Sequence, residues 1–223
     1  MKLHLQNKKN WALTLVELLV VVGVIAVLAA IILPVNEPTK RRAQEINCVN
    51  NLKQVALSFR VWPSGQDDRY PMAISVTNGG AMEIIATGNV AGCFQVMSNE
   101  LGTPKILICP AEIDHSTPAT NFQNDFNNSH INYFINLDAS ESYPQQIMCG
   151  DDNLAVDGVA VKSGLVLLPS HAQVAWTAAR HINVGNIGFA DGSVSEVSDQ
   201  GLQSALVLAT NGTPTMINRL AIP

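Results

Sequence analysis

The first regularity along the chain is an unbroken apolar run. From position 13 to position 33, 21 residues, only Thr14 and Glu17 are polar. A helix rises about 1.5 Å per residue, so about 20 apolar residues cross a hydrocarbon core. The run therefore predicts a transmembrane helix over residues 13–34, closed by Pro34. The rhythm then changes. Between 39 and 62, Ile46, Val49, Leu52, Val55, Ala56 and Phe59 recur at three- and four-residue steps, which predicts an amphipathic helix with one apolar stripe. Gln44, Asn47, Asn50, Asn51 and Gln54 fill the other side. A helix running from 13 to 62 would be about 75 Å long, with kinks expected at Pro34 and Pro38 and an end before Pro63-Ser64-Gly65.

Past Pro63 the texture is short apolar runs cut by Gly, Asn and Pro. Residues 106–109, 131–135, 159–161 and 173–177 read as strands. Residues 186–190 and 193–197 flank Asp191-Gly192, and a two-residue Asp-Gly loop predicts a type I′ hairpin. Residues 199–210 read as a short helix capped by Asp199 and ended by Asn211-Gly212. The expected fold class is α+β, with an antiparallel sheet packed on the apolar stripe of the long helix. Four segments follow: a leader at 1–12, the span at 13–34, the amphipathic continuation at 35–62 and a head at 63–223.

Charge narrows the function classes. From Arg69 onward, five Lys and Arg face thirteen Asp and Glu. So acidic a head lacks the basic footprint that nucleic acid requires. Lys40, Arg41 and Arg42 instead lie just past the span, suited to lipid headgroups or acidic neighbours. The leader is basic through Lys2, Lys8 and Lys9, but a secretory signal has a shorter apolar run and an Ala-x-Ala end, which this chain lacks. An anchor is the better reading. Basic residues on the two sides nearly balance, so the positive-inside count leaves orientation open.

Ala12-Leu13-Thr14-Leu15-Val16-Glu17 resembles the processing site of type IV prepilins and type II secretion pseudopilins, with Ala12 in place of the usual Gly and Leu13 in place of the usual Phe. Counted from Leu13, Glu17 is the fifth mature residue and Pro34 the twenty-second, where many pilins carry proline. Residues 42–54 resemble the helix of prepilin-like proteins of Planctomycetes and Verrucomicrobia, which often end in a His, nine residues, then Asp-Gly. Here that motif is His181 and Asp191-Gly192. The middle, roughly 70–170, matches more loosely.

The resemblance implies a pilin-like fold and a cytoplasmic leader cut after Ala12 by a prepilin peptidase that also methylates Leu13. It implies a single-pass inner-membrane subunit with a periplasmic head. Its implied partners are other pilin or pseudopilin subunits, an inner-membrane assembly platform and membrane lipid. Glu17 would pair in the filament with the new amine of a neighbouring subunit, since breaking a buried ion pair costs about 3–5 kcal/mol. The bland reading of Glu17 is a carboxylate reaching for the headgroups.

The remaining chemistry is sparse. His181 and Asp191 are residue types of catalysis and metal binding, yet no nucleophile, zinc-protease or phosphate-loop motif accompanies them. Asp-Gly belongs to a turn, and His181 is expected to hydrogen-bond backbone. Asp151, Asp152, Asn153 and Asp157 form an acidic cluster that could hold calcium, an ion the resemblance associates with major pseudopilin heads. The alternative is a solvated loop, and no other cofactor is expected. Cys48, Cys93, Cys109 and Cys149 lack zinc spacing and allow three full pairings or four buried thiols. The resemblance favours Cys48–Cys109. The reading is a non-enzymatic structural subunit. The alternatives are a membrane-anchored extracytoplasmic hydrolase or metal-binding protein using His181 and Asp191, and a single-pass protein that keeps its leader and never assembles.

Overall fold

The structure, a computed structural model, describes residues 14–32, 36–62, 69–111, 117–181, 184–210 and 217–223. It has two compact units, Met1–Arg42 and Ala43–Pro223. The helices are α1 (Leu15–Ile32), α2 (Asn36–Val61), α3 (Met82–Ile85), α4 (Val90–Val96) and α5 (Ser98–Leu101). Strands follow as β1 (Tyr133–Asn136), β2 (Ile147–Asp151), β3 (Leu154–Val156), β4 (Val159–Ala160), β5 (Gly164–Pro169), β6 (Val174–Trp176), β7 (Val184–Phe189) and β8 (Val194–Ser198). The order closes with α6 (Asp199–Thr210) and β9 (Ile217–Ile222).

Among the described residues no helix is both long and apolar enough to cross a membrane. Helix α1 has 18 residues and rises about 27 Å, just under the ~30 Å of a hydrocarbon core. Leu13, Leu33 and Pro34, which complete the expected span, lie outside the described residues, as does the expected kink at Pro34. Pro38 falls in the first turn of α2, where a missing N–H costs the helix nothing.

The second unit is α+β. Six antiparallel strands run in the order β5-β9-β1-β2-β7-β8, and a small sheet runs β4-β3-β6. Both faces of the large sheet are covered. Leu52, Val55, Ala56 and Phe59 of α2 are fully buried and share a core with Tyr133, Ile135 and Met148. Phe134, Ile147 and Ile187 join Leu202, Ala205 and Leu206 of α6 in a second core, together with Trp176 of the small sheet. Alternation along β1 is the period-two geometry of a strand, so a strand buried on both faces reads as a solid apolar run. Met148 and Cys149 break the alternation by entering one core, and they do so where the β2–β7 register shifts at a bulge.

Several expectations change. Residues 106–109 are not a strand: a 3₁₀ turn occupies Pro104–Leu107, with Thr103 as its side-chain cap and proline at its start. Ile46 stands 50 % exposed, so the buried stripe begins later, with Cys48. The type I′ hairpin is at Asp157-Gly158 (φ 50° and 79°), which joins Val156 to its partner Val159. At 190–192 only Gly192 has positive φ. Gly192 N–H donates to Phe189 C=O, and Phe189 N–H donates to Ser193 C=O. That is the three-residue loop with a left-handed glycine. Helix α6 is capped by Ser198, whose Oγ accepts from Gly201 N–H at 3.4 Å. Asp199 Oδ1 instead accepts from Trp176 N–H at 2.8 Å, tying the small sheet to the helix. The expected stop at Asn211-Gly212 lies outside the described residues.

The ring of Phe59 meets Tyr70 and Phe94 edge-on, with centroids 6.1 and 6.0 Å apart. Phe59→Ala should therefore lower unfolding free energy by about 3–5 kcal/mol, read by urea denaturation of the full chain in mild detergent. A loss below about 1 kcal/mol would contradict the placement of the core.

Candidate functional site

Two places carry the chemistry, one in each unit. In the first, α1 is apolar around its whole circumference. Its large side chains are exposed, from Leu15 at 78 % to Ile31 at 63 %. At its start, Thr14 and Glu17 form a reciprocal capping box. Glu17 Oε2 accepts from Thr14 N–H (2.9 Å) and Thr14 Oγ1 (2.8 Å), while Glu17 N–H donates to Thr14 Oγ1 at 3.3 Å. Glu17 thus satisfies donors that a helix start leaves open. The Thr-x-x-Glu spacing is itself a helix-start signal in the sequence, beside the charge of Glu17. Ala12 and Leu13 lie outside the described residues.

The second place is buried. Cys48 of α2 and Cys109 are joined by a disulfide, Cα atoms 5.1 Å apart. Side chains one turn either side of Cys48 hold the same loop. Gln44 Nε2 donates to Pro110 C=O at 3.0 Å and Asn51 Nδ2 to Ile108 C=O at 3.1 Å. These amides, expected on a solvated face, are what a non-strand segment at 108–110 bonds to. From the sheet side, Asn132 Oδ1 accepts from Cys109 N–H at 2.9 Å.

Against this disulfide lies His181, 3 % exposed. Its Nε2 is 3.5 Å from Cys109 Sγ, 3.3 Å from Asn186 Nδ2 and 3.6 Å from Asp151 Oδ2. The expected backbone partner is replaced by these side chains. Asp151, at the end of β2, accepts through Oδ2 from Asn186 N–H (2.7 Å) and Asn186 Nδ2 (3.0 Å). Full burial pushes its carboxyl above the usual carboxylate range, opposed by His181, the Asn186 N–H and Arg180. Arg180 forms an ion pair with Asp152 and donates to Asn132 C=O at 2.9 Å. Among the described residues, Asp151 Oδ1, His181 Nδ1, Asn186 Oδ1 and Tyr133 Oη are buried without a hydrogen-bond partner.

The acidic cluster does not converge. Asp151 is committed to Asn186, Asp152 to Arg180, and Asn153 Nδ2 donates to Thr177 C=O at 2.9 Å. Asp157 is a turn residue. The His181–Asp191 pair does not form a shared centre either. Asp191 Oδ1 accepts from Ser193 N–H at 2.8 Å, and its carbonyl accepts from Arg60 Nη1 at 2.8 Å. Cys93 and Cys149 are free, buried thiols. Burial pushes Cys93 up to about 12 and Cys149 higher still, so neither is a ready nucleophile. Asp151 as the partner of His181 carried no sequence signal, because four strands, β3 to β6, separate them along the chain. No family model, no curated protein and no solved structure matches the chain.

The disulfide bridges 61 positions of sequence, for which the chain-entropy estimate of stabilisation is about 4 kcal/mol. Cys109→Ser should cost about 2–5 kcal/mol in chemical denaturation of the full chain. Non-reducing peptide mapping should find Cys48 linked to Cys109 with Cys93 and Cys149 alkylatable; any other pairing would contradict the site.

Proposed function

We propose that the chain is a structural, pilin-like subunit, cut after Ala12 by a prepilin peptidase, methylated at Leu13 and assembled through its N-terminal helix. In this reading it waits in the inner membrane with its head outside the cytoplasm, and then joins other subunits on a membrane assembly platform. The product is a type IV pilus or a type II secretion pseudopilus. The observation that carries the reading is α1. A helix apolar on every side is stable inside lipid or packed among other apolar helices, and its exposed surface exceeds what a soluble monomer ordinarily leaves in water. The disulfide of the head fits an oxidising compartment. Nothing here needs turnover: the work is mechanical. The hydrolase alternative loses ground because His181 is buried and Asp191 is spent on a turn.

The capping box refines the role of Glu17. Before assembly its carboxylate is held by Thr14. In the filament it would also meet the amine of a neighbour's Leu13, neutralising both charges in apolar surroundings. Two variants separate these roles. Glu17→Ala should insert, be cleaved and fail to form filaments in cells carrying the cognate machinery. Glu17→Asp should be partly defective, and Thr14→Ala, which removes the box and keeps the charge, should still assemble. Normal filaments from Glu17→Ala would overturn the proposal. Equal failure of Thr14→Ala and Glu17→Ala would reduce Glu17 to a helix cap.

A further inference from the structure

The buried cluster offers more than a cross-link. Cys48 Sγ, Cys109 Sγ and a ring nitrogen of His181 all lie within 4.8 Å of one another, every one buried. A tetrahedral zinc ion with Zn–S near 2.3 Å and Zn–N near 2.0–2.1 Å spaces its sulfur and nitrogen ligands about 3.6 Å apart. His181 Nε2 and Cys109 Sγ stand 3.5 Å apart. The tautomer is also suitable. Asn186 Nδ2 donates one hydrogen to Asp151 Oδ2 and faces His181 Nε2 with the other. An amide nitrogen only donates, so His181 Nε2 is the unprotonated ring nitrogen, and zinc would take the lone pair that now accepts from Asn186. The fourth position falls to water, because Asp151 Oδ2 already accepts twice from Asn186.

We propose that the reduced chain binds one zinc ion through Cys48, Cys109 and His181, with water in the fourth position, and that the disulfide is the oxidised, metal-free state of the same site. This inference stands apart from the filament reading. With a phosphine as reductant, the S–S bond breaks, the phosphine takes an oxygen from water, and two thiols form. Binding Zn²⁺ then releases their two protons and makes two Zn–S bonds. The sulfurs move apart to about 3.8 Å, the spacing of tetrahedral thiolates. Two thiolates and a neutral imidazole balance the charge of the ion, which is what a buried site requires.

The test uses the full chain in detergent, reduced with a water-soluble phosphine, with Co²⁺ as the spectroscopic probe. The reduced chain should take up one Co²⁺ with thiolate-to-cobalt charge-transfer absorption and tetrahedral visible bands, and one Zn²⁺ should displace it. The oxidised chain should show neither. His181→Gln should weaken binding at least tenfold. The Cys48→Ser/Cys109→Ser variant, which keeps Cys93 and Cys149, should show no charge-transfer band. X-ray absorption of the zinc-loaded parent, which needs no variant to fold, should report two sulfurs at about 2.3 Å and two lighter ligands. A reduced chain without the cobalt spectrum, a double variant that binds like the parent, or a shell of four sulfurs would each overturn the proposal.

Discussion

Burial of one face of α2 against the large sheet is the constraint on which the second unit depends. Leu52, Val55, Ala56 and Phe59 are wholly removed from water, at roughly 1.5–3 kcal/mol for each large side chain. The small helices and irregular segments between 69 and 132 fold over the same core, contributing Tyr70, Met72, Phe94 and Leu107. These segments have little regular structure of their own, so their order follows from what α2 lets them bury. The Cys48–Cys109 bridge and the Gln44 and Asn51 amides then fix the stretch 108–110, which lies in no strand.

The two units make opposite demands on their surroundings. The second hides its apolar residues on both faces of a sheet. The first leaves α1 bare, with twelve large apolar side chains between Leu15 and Ile31 exposed. Apart from Glu17 in the first turn, no rotation of α1 presents a polar face, which suits lipid or other apolar helices. The Thr14–Glu17 box begins that helix at a defined residue and gives a charge in an apolar run a local partner.

The parts of the fold legible in the sequence were those whose signal is local. The stripe of α2 from Leu52 to Phe59, the β1 and β6 segments and α6 follow from period and turn residues. Strands β2, β3, β5 and β9 carry little local signal: Ile-Met-Cys-Gly-Asp and Leu-Ala-Val are short, and β9 is held between β5 and β1 by pairing distant in sequence. Both Asp-Gly pairs make turns, but the loop length that selects the turn type is set by strand register. The buried centre was the least legible. Cys48, Cys109, Asp151 and His181 come from four distant segments, and only the packed sheet brings Asp151 beneath His181. The disulfide pairing entered through resemblance, since four cysteines alone leave three pairings open.

The central claim is that α1 begins at a processed end and works by joining other apolar helices. Intact-mass and N-terminal peptide spectrometry of the chain recovered from its native envelope tests this most directly. The account predicts a mature chain starting at Leu13 with a methylated amine, the segment through Ala12 being gone. A chain that still starts at Met1, or one cut beyond Pro34 and so freed of α1, would contradict it.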